Sequence, residues 1–379
     1  MAPLEGTGDD TLEQAGPAAT AELRRPGTTT LNALLGVARE AGASDVYLGA
    51  GSIPFARIEG ELRRYGGAPL TAAEADALAA QARAKAGIKD ASGLDLDCCI
   101  EIGNHGRFRV NLHRHSEGAG LSLKCIPREV RSLEQLGLPE SLYALTEFRT
   151  GMVLVTGPAG CGKSSTLAAL LQRINESRPE HIVTIEDPIE FVFPSLLANI
   201  TQRELGRHTD SFHGALRAAL REDPDVILVS ELRDLETVRT AIVAAETGHL
   251  VLGTLHTRNA AGTVRRLLDV FPAREQEQVR AMLSESLRAV VSQELLPRAD
   301  GGTRVPAYEI LLVTPAVSTL IRDGRTHQIP SVLQIGRKQG MIDKDTRLAE
   351  MVRSGLISAA VARRTATNPA RFKAEADAS

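Results

Sequence analysis

Tryptophan is absent from the 379 residues, and phenylalanine and tyrosine together supply an aromatic share of only 3%. That scarcity argues against base-stacking platforms for single-stranded nucleic acid and against the aromatic belts of membrane proteins. Excess charge of one sign is also lacking: 44 basic residues face 47 acidic ones, a formal net of -3, so no general field draws the chain to nucleic acid or anionic lipid. The four cysteines, Cys98, Cys99, Cys125 and Cys161, form no CxxC pair and have no ligand-spaced histidines, which argues against a zinc site or a disulfide framework and fits a reducing cytoplasm. No run of 18 apolar residues occurs, nor a basic stretch leading into an apolar one. Neither a membrane span nor a signal peptide is therefore expected, and membrane contact would come only through partners. Lysine is sparse as well, seven of the 44 basic residues, which makes a lysine inside a glycine-rich loop informative.

What is present is an ordinary globular composition, 43% hydrophobic and 24% charged, at a length that suggests two domains. Residues 1–28, with four glycines and three prolines and no aromatics, read as a disordered leader. Leu31, Leu34, Leu35 and Ala38 then recur at helical spacing behind threonine caps. Short strands follow at 45–48 and on either side of Glu59-Gly60, and Thr71-x-x-Glu74 is a capping box that opens an alanine-rich helix. Residues 106–114 alternate, with Phe108, Val110 and Leu112 on one face and Arg107, Arg109, Asn111 and His113 on the other. This mixed α/β stretch is expected to form a small first domain, 29–138, joined by a linker, 139–150, to a second domain, 151–365, and a flexible tail, 366–379. In the second domain the apolar runs MVLVT (152–156), HIVTI (181–185), DVILV (225–229) and HLVLGTL (249–255) alternate with helical stretches, the pattern of a largely parallel sheet covered on both faces. Beyond residue 256, helical patterns at 260–270, 275–290, 315–322 and 345–353 dominate.

Ligand chemistry in such a sheet gathers at the C-terminal ends of its strands. Gly157-Pro158-Ala159-Gly160-Cys161-Gly162-Lys163-Ser164 fits GxxxxGK[ST] between an apolar strand and a helical run, and Ser165 follows it. Glycines let backbone N–H groups close around phosphate oxygens, Lys163 supplies a point charge at the β and γ phosphates, and the Ser164 hydroxyl can reach Mg²⁺. Two other strands run into acids, Glu186-Asp187 with Glu190 behind, and Ser230-Glu231. Such acids are either solvated caps or the groups that hold a magnesium shell and orient water, and a phosphate loop in the same sheet favours the second. His256, at the end of a further strand, can sense a γ phosphate by hydrogen bonding; a satisfied structural histidine is the alternative. Cys161 lies at a helix N-terminus beside an ammonium, which predicts a thiol more reactive than a free one, against the plainer reading of a small residue tolerated in a tight loop.

Residues 157–166, TIEDPIEFV (184–192), ALREDPDVILVSE (219–231) and AAETGHLVLGTLHT (244–257) resemble the Walker A, Asp box, Walker B and His box of the secretion ATPase superfamily. With ASDVYL (43–48), GRFRVN (106–111) and DVFPAREQEQVRAMLSESL (269–287), the similarity points to its pilus-retraction branch and covers about residues 30–360. The resemblance implies a PAS-like N-terminal domain, a RecA-like domain hydrolysing ATP with Mg²⁺, and a cytoplasmic homohexamer with ATP between domains. It also implies docking at an inner-membrane platform protein, alongside a related accessory ATPase. Glu231 would then activate water and share the Mg²⁺ with Ser164, partly through water. Glu186 and Asp187 would sit near metal and water, His256 would read nucleotide state, and Arg109 and Arg114 would reach phosphates. Departures from the family pattern are Ser230 in place of Gly, Cys161 in place of Ser in the phosphate loop, and two in the output region: AIRNLIRE reads AVSTLIRD at 316–323, and GMQTLD reads GMIDKD at 340–345. Pilus-assembly or type II secretion ATPases are a close alternative, but they typically carry a tetracysteine insertion, and no cysteine follows Cys161. An ATP-binding regulatory ring subunit is the other.

Overall fold

The computed structural model describes residues 23, 27, 29–58, 60–88 and 95–372, which form two compact units divided mainly between Cys125 and Ile126. In the first, Thr30 caps α1 (Leu31–Glu40) by accepting from Ala33 N–H, and Leu31, Leu34, Leu35 and Ala38 form its buried stripe. The strands β1 (Asp45–Gly49), β2 (Phe55–Ile58), β3 (Glu61–Arg64), β4 (Leu96–Ile102), β5 (Gly106–His115) and β6 (Gly118–Cys125) make one sheet in the order β3-β2-β1-β6-β5-β4. The capping box is formed as predicted: Thr71 and Glu74 satisfy each other's N–H groups at the head of α2 (Ala72–Ala86), and Gly87 ends the helix in the left-handed conformation. Along β5 the alternation also holds, with Phe108, Val110 and Leu112 buried and Arg107 and Arg109 half-buried between them. Leu23, inside the expected leader, pairs with the chain at Arg64 and Tyr65; the remainder of 1–28, Gly27 apart, lies outside the described residues.

The second unit begins earlier than predicted. Leu133, Leu138, Leu142 and Leu145, in the stretch assigned to the end of the first domain and a linker, are buried in the core beneath α3 (Lys163–Ser177), because their apolar spacing gives them a surface to cover. The central sheet has the order β13-β12-β7-β11-β10-β8-β9, from β7 (Gly151–Thr156), β8 (His181–Glu186), β9 (Asn199–Glu204), β10 (Val226–Val229), β11 (Leu250–Leu255), β12 (Leu287–Leu296) and β13 (Val305–Leu312). Every residue of β7, β10 and β11 is buried, as strands covered on both faces require. The covering helices include α4 (Phe212–Ala219), α5 (Leu235–Glu246), α6 (Ala260–Asp269) and α7 (Gln276–Ser286). The architecture is the α/β one expected, a RecA-like domain preceded by a smaller α/β domain. Among the described residues no helix is long and apolar enough to cross a membrane.

Two further corrections fall in the C-terminal third. The helical pattern over 275–290 breaks at Leu287, where the chain enters β12, inserted between β7 and β13 with Ala289, Val290 and Val291 fully buried. The remaining helices are α8 (Pro315–Arg322), α9 (Ile329–Ile335), α10 (Lys344–Arg353) and α11 (Ala359–Thr365). Residues 366–372, expected in the flexible tail, are fastened: the Asp345 carboxylate accepts from the N–H groups of Thr367 and Asn368 at 2.7 and 2.8 Å, and Phe372 is buried with Leu348 and Met351. Residues 373–379 lie outside the described residues. Phe372→Ala should therefore lower the unfolding free energy by about 3 to 5 kcal/mol. A melting temperature equal to the parent's would return this segment to a loose tail.

Candidate functional site

Three parallel strands end side by side. β7 pairs with β11 and β11 with β10, so that Thr156 lies beside Leu255 and Gly253 beside Val229. The residues that follow them, Gly157, His256 and Ser230-Glu231, emerge together at one edge of the sheet. Gly157 turns the chain at φ +144°, where a Cβ would come within 2.1 Å of the Gln293 carbonyl oxygen. Gly162, at φ +92°, opens α3 with no side-chain cap, while Pro158, Ala159 and Gly160 are exposed and Ser164 and Ser165 stand in the first turn. Uncapped N–H groups at an accessible helix start are what an anion needs, so the loop fits a phosphate.

Lys163 is the first residue of α3. Its Nζ donates to the carbonyls of Gly157 at 2.9 Å and Pro158 at 3.1 Å, and lies 3.4 Å from His256 Nδ1. An ammonium can only donate, so Nδ1 accepts and the imidazole proton belongs on Nε2, which faces Glu231 Oε1 at 3.3 Å. The second Glu231 oxygen pairs with Arg233 at 2.7 Å. A line Lys163–His256–Glu231–Arg233 thus joins the ends of three strands and brings three of the candidate residues, Lys163, His256 and Glu231, together. Arg233 was missed; the signal was its place two residues beyond Glu231. Partial burial works to raise the Glu231 carboxyl, but the Arg233 hydrogen bond and charge, with His256, hold it below the usual carboxylate range. Burial pushes the Lys163 ammonium down, against the pull of Cys161, Glu231 and Glu190.

Glu186 departs from its predicted place beside metal and water. It is buried, and Oε1 accepts from Thr184 Oγ1 at 2.7 Å and Gln202 Nε2 at 3.0 Å, with the Glu190 N–H donating as well. Gln202 also donates to the Phe191 carbonyl and accepts from Phe193 N–H. Glu186 therefore braces the 187–193 turn from beneath, and the half-buried acids on that turn are Asp187, whose charge reaches Arg233, and Glu190. Burial raises the Glu186 carboxyl to about 7.

Cys161 is 3% exposed, and burial pushes its thiol up despite Lys163 nearby. The predicted reactive thiolate is thus replaced by the plainer reading, because the side chain turns inward against Gly157 rather than toward solvent. Arg109 and Arg114 belong to the first unit: Arg109 is half-buried on β5 opposite Lys124, and Arg114 is exposed and paired with Asp76 at 3.2 Å. Among the described residues no group of three His, Cys, Asp or Glu could cage a metal. Mg²⁺ needs no such cage when phosphates and waters complete its shell, so Ser164 with a nearby carboxylate fits it.

Comparison with known proteins agrees with this geometry. The family described as Type II/IV secretion system protein matches residues 26–358. A Neisseria gonorrhoeae twitching motility protein is 51% identical over 83% of this chain and 84% of its own length. The Pseudomonas aeruginosa type IV pilus retraction ATPase PilT is 47% identical over 89% of this chain and 98% of its own. A crystal structure of the pilus retraction motor PilT with bound ADP superposes with a TM-score of 0.81 at 40% identity, covering 90% of this chain and 98% of that one.

The raised Glu186 carboxyl makes a pH prediction. Its stabilising contribution is full below the value of an unfolded glutamate, about 4.3, and is lost as pH rises through about 7. Glu186→Gln cannot ionise, so thermal melts from about pH 5 to about pH 8 should show the variant gaining on the parent. Parallel melting profiles would remove buried ionisation as the cause.

Proposed function

This chain belongs to the Type II/IV secretion system protein family, and from that premise we propose that it is an ATP-hydrolysing motor that retracts a type IV pilus and so drives twitching motility. The carrying observation is the line of Lys163, His256 and Glu231 across three strand ends. ATP would enter with its β and γ phosphates on the N–H groups of residues 159–165. Lys163 Nζ would then exchange the Gly157 and Pro158 carbonyls for phosphate oxygens, contacts of the same geometry but greater strength in a partly buried site. Bound Mg²⁺, held by Ser164 and by Glu231 partly through water, would neutralise phosphate charge. Glu231, kept ionised by Arg233 and His256, accepts the proton of the attacking water as the oxygen bonds to the γ phosphorus and the bond to ADP breaks. With phosphate gone, Lys163 Nζ would return to the Gly157 and Pro158 carbonyls and to His256 Nδ1, which is how nucleotide state would reach the His256 loop. Asp187 serves the magnesium shell while Glu186 holds the turn that carries it.

Identity of 47% to a protein named as a type IV pilus retraction ATPase and of 51% to one named as a twitching motility protein supports the retraction reading. The wider proposal is a cytoplasmic homohexamer, meeting the inner membrane only through a platform protein, with a related accessory ATPase as a further partner. Complementation of a retraction-deficient deletion strain tests it: the chain should restore twitching and its Lys163→Ala variant should not. Failure to restore twitching by a chain that hydrolyses ATP would leave an ATPase with another mechanical role.

Two kinetic outcomes follow for the purified protein. Glu231→Gln should retain ATP binding and lose turnover by about 10²-fold or more, since the pocket keeps its shape and loses its base. Near-parental turnover would move the base to the Asp187 turn. If ATP sites are shared between subunits of a ring, Arg109→Ala should lower turnover, because a guanidinium suits phosphate; unchanged kinetics would leave Arg109 without a part in the reaction.

A further inference from the structure

We propose that Gln293 is a positioning residue for the phosphate loop, a brace that sets the loop in the shape that receives the β and γ phosphates; this deepens the ATPase reading above and rests on it. Gln293 lies on β12, 132 residues after Cys161, and is 5% exposed. It meets the loop at both ends, at Gly157 and at Cys161 and Gly162. Its Nε2 donates to the Cys161 carbonyl at 2.7 Å, and its Oε1 accepts from Thr166 Oγ1 at 2.9 Å. Its own main-chain carbonyl packs on the Gly157 Cα, where a Cβ would sit 2.1 Å away, and Nε2 would lie 3.2 Å from a Cβ on Gly162.

The consequence comes from peptide geometry. In a planar trans peptide the C=O and the following N–H point in opposite directions. By pulling the Cys161 carbonyl inward, Gln293 turns the Gly162 N–H outward, toward the space a phosphate would fill. A neutral carboxamide is suited to this place because it donates to a carbonyl and accepts from a hydroxyl at once. A carboxylate would turn an acceptor on the Cys161 carbonyl and place a negative charge beneath the phosphates. The preceding residue, Ser292, bonds Thr156 Oγ1 at 2.8 Å at the end of β7, so consecutive residues of β12 hold both the strand that leads into the loop and the loop itself.

The purified full chain tests this with ADP binding and steady-state ATP kinetics. Gln293→Met keeps length and bulk without the hydrogen bonds. It should weaken ADP about tenfold, equivalent to about 1.4 kcal/mol, and raise KM for ATP more than it lowers kcat. Gln293→Glu should bind more weakly than the Met variant. Thr166→Val removes one bond of the pair and should give a smaller loss, about threefold; it decides alone if the Met variant does not fold, and parental ADP affinity in it would then overturn the brace. A Met variant with parental ADP affinity and KM but a lower melting temperature would make Gln293 a packing residue. A parent chain that binds neither ADP nor ATP would remove the ATPase reading and the brace with it.

Discussion

The shared register of β7, β11 and β10 is the constraint on which the site depends. Lys163, His256 and Glu231 are far apart in sequence, and each is placed by where its own strand stops. Because Val226 pairs with Leu250 and Leu250 with Gly151, the three strands start at one level; β7 and β11 end together at Thr156 and Leu255, β10 two residues earlier at Val229, and the residues beyond them fall within hydrogen-bond reach. A slip of one residue in any pairing would turn a strand's side chains to the opposite face and carry its end group away from the line. Close packing of the buried valine, isoleucine and leucine side chains against the covering helices opposes that slip, because a shifted side chain no longer fits its neighbours. The core therefore sets catalytic geometry as directly as the polar residues do.

Burial at the sheet edge shapes the electrostatics in one consistent direction. It pushes Lys163 down, Glu186 and Cys161 up, and works against ionisation of Glu231, each time favouring the neutral form. Of the three acidic groups only Glu231 ends below its ordinary value, because Arg233 and His256 face it directly. The same low-polarity surroundings strengthen any contact that a phosphate makes there. The site is one in which charges are few, paired and effective, which fits the near-neutral balance of the whole chain.

Local signals in the sequence were legible where one segment settles its own structure. The capping box at Thr71 and Glu74, the alternation of Phe108, Val110 and Leu112, and the strand, glycine loop and helix around Lys163 all formed as read. Features decided by distant partners were not. Residues 287–290 continue a helical spacing from α7 and become strand only because β7 and β13 offer them an edge on each side. Leu142 and Leu145 look like linker until α3 covers them. Glu186 reads as a site acid from its place at a strand end, yet Gln202 on the next strand turns it inward. Gln293 carries no motif at all, since its role comes from a strand pairing more than a hundred residues from the loop it touches.

The altered C-terminal signature can be judged by the same division between local and distant causes. Its helices retain their own start signals: Thr314 caps α8 with Pro315 in the first turn, and Asp343 caps α10 by accepting from Thr346 N–H. Ser318, standing where the family pattern has arginine, donates to the Ser284 carbonyl at 2.7 Å and fixes α8 to α7 without a charge. Asp345 anchors the residues after α11 through two backbone N–H groups. The substitutions thus leave the helices and their docking in place. At position 318 the difference from the family pattern is a hydroxyl-to-carbonyl bond between α8 and α7 in place of a guanidinium.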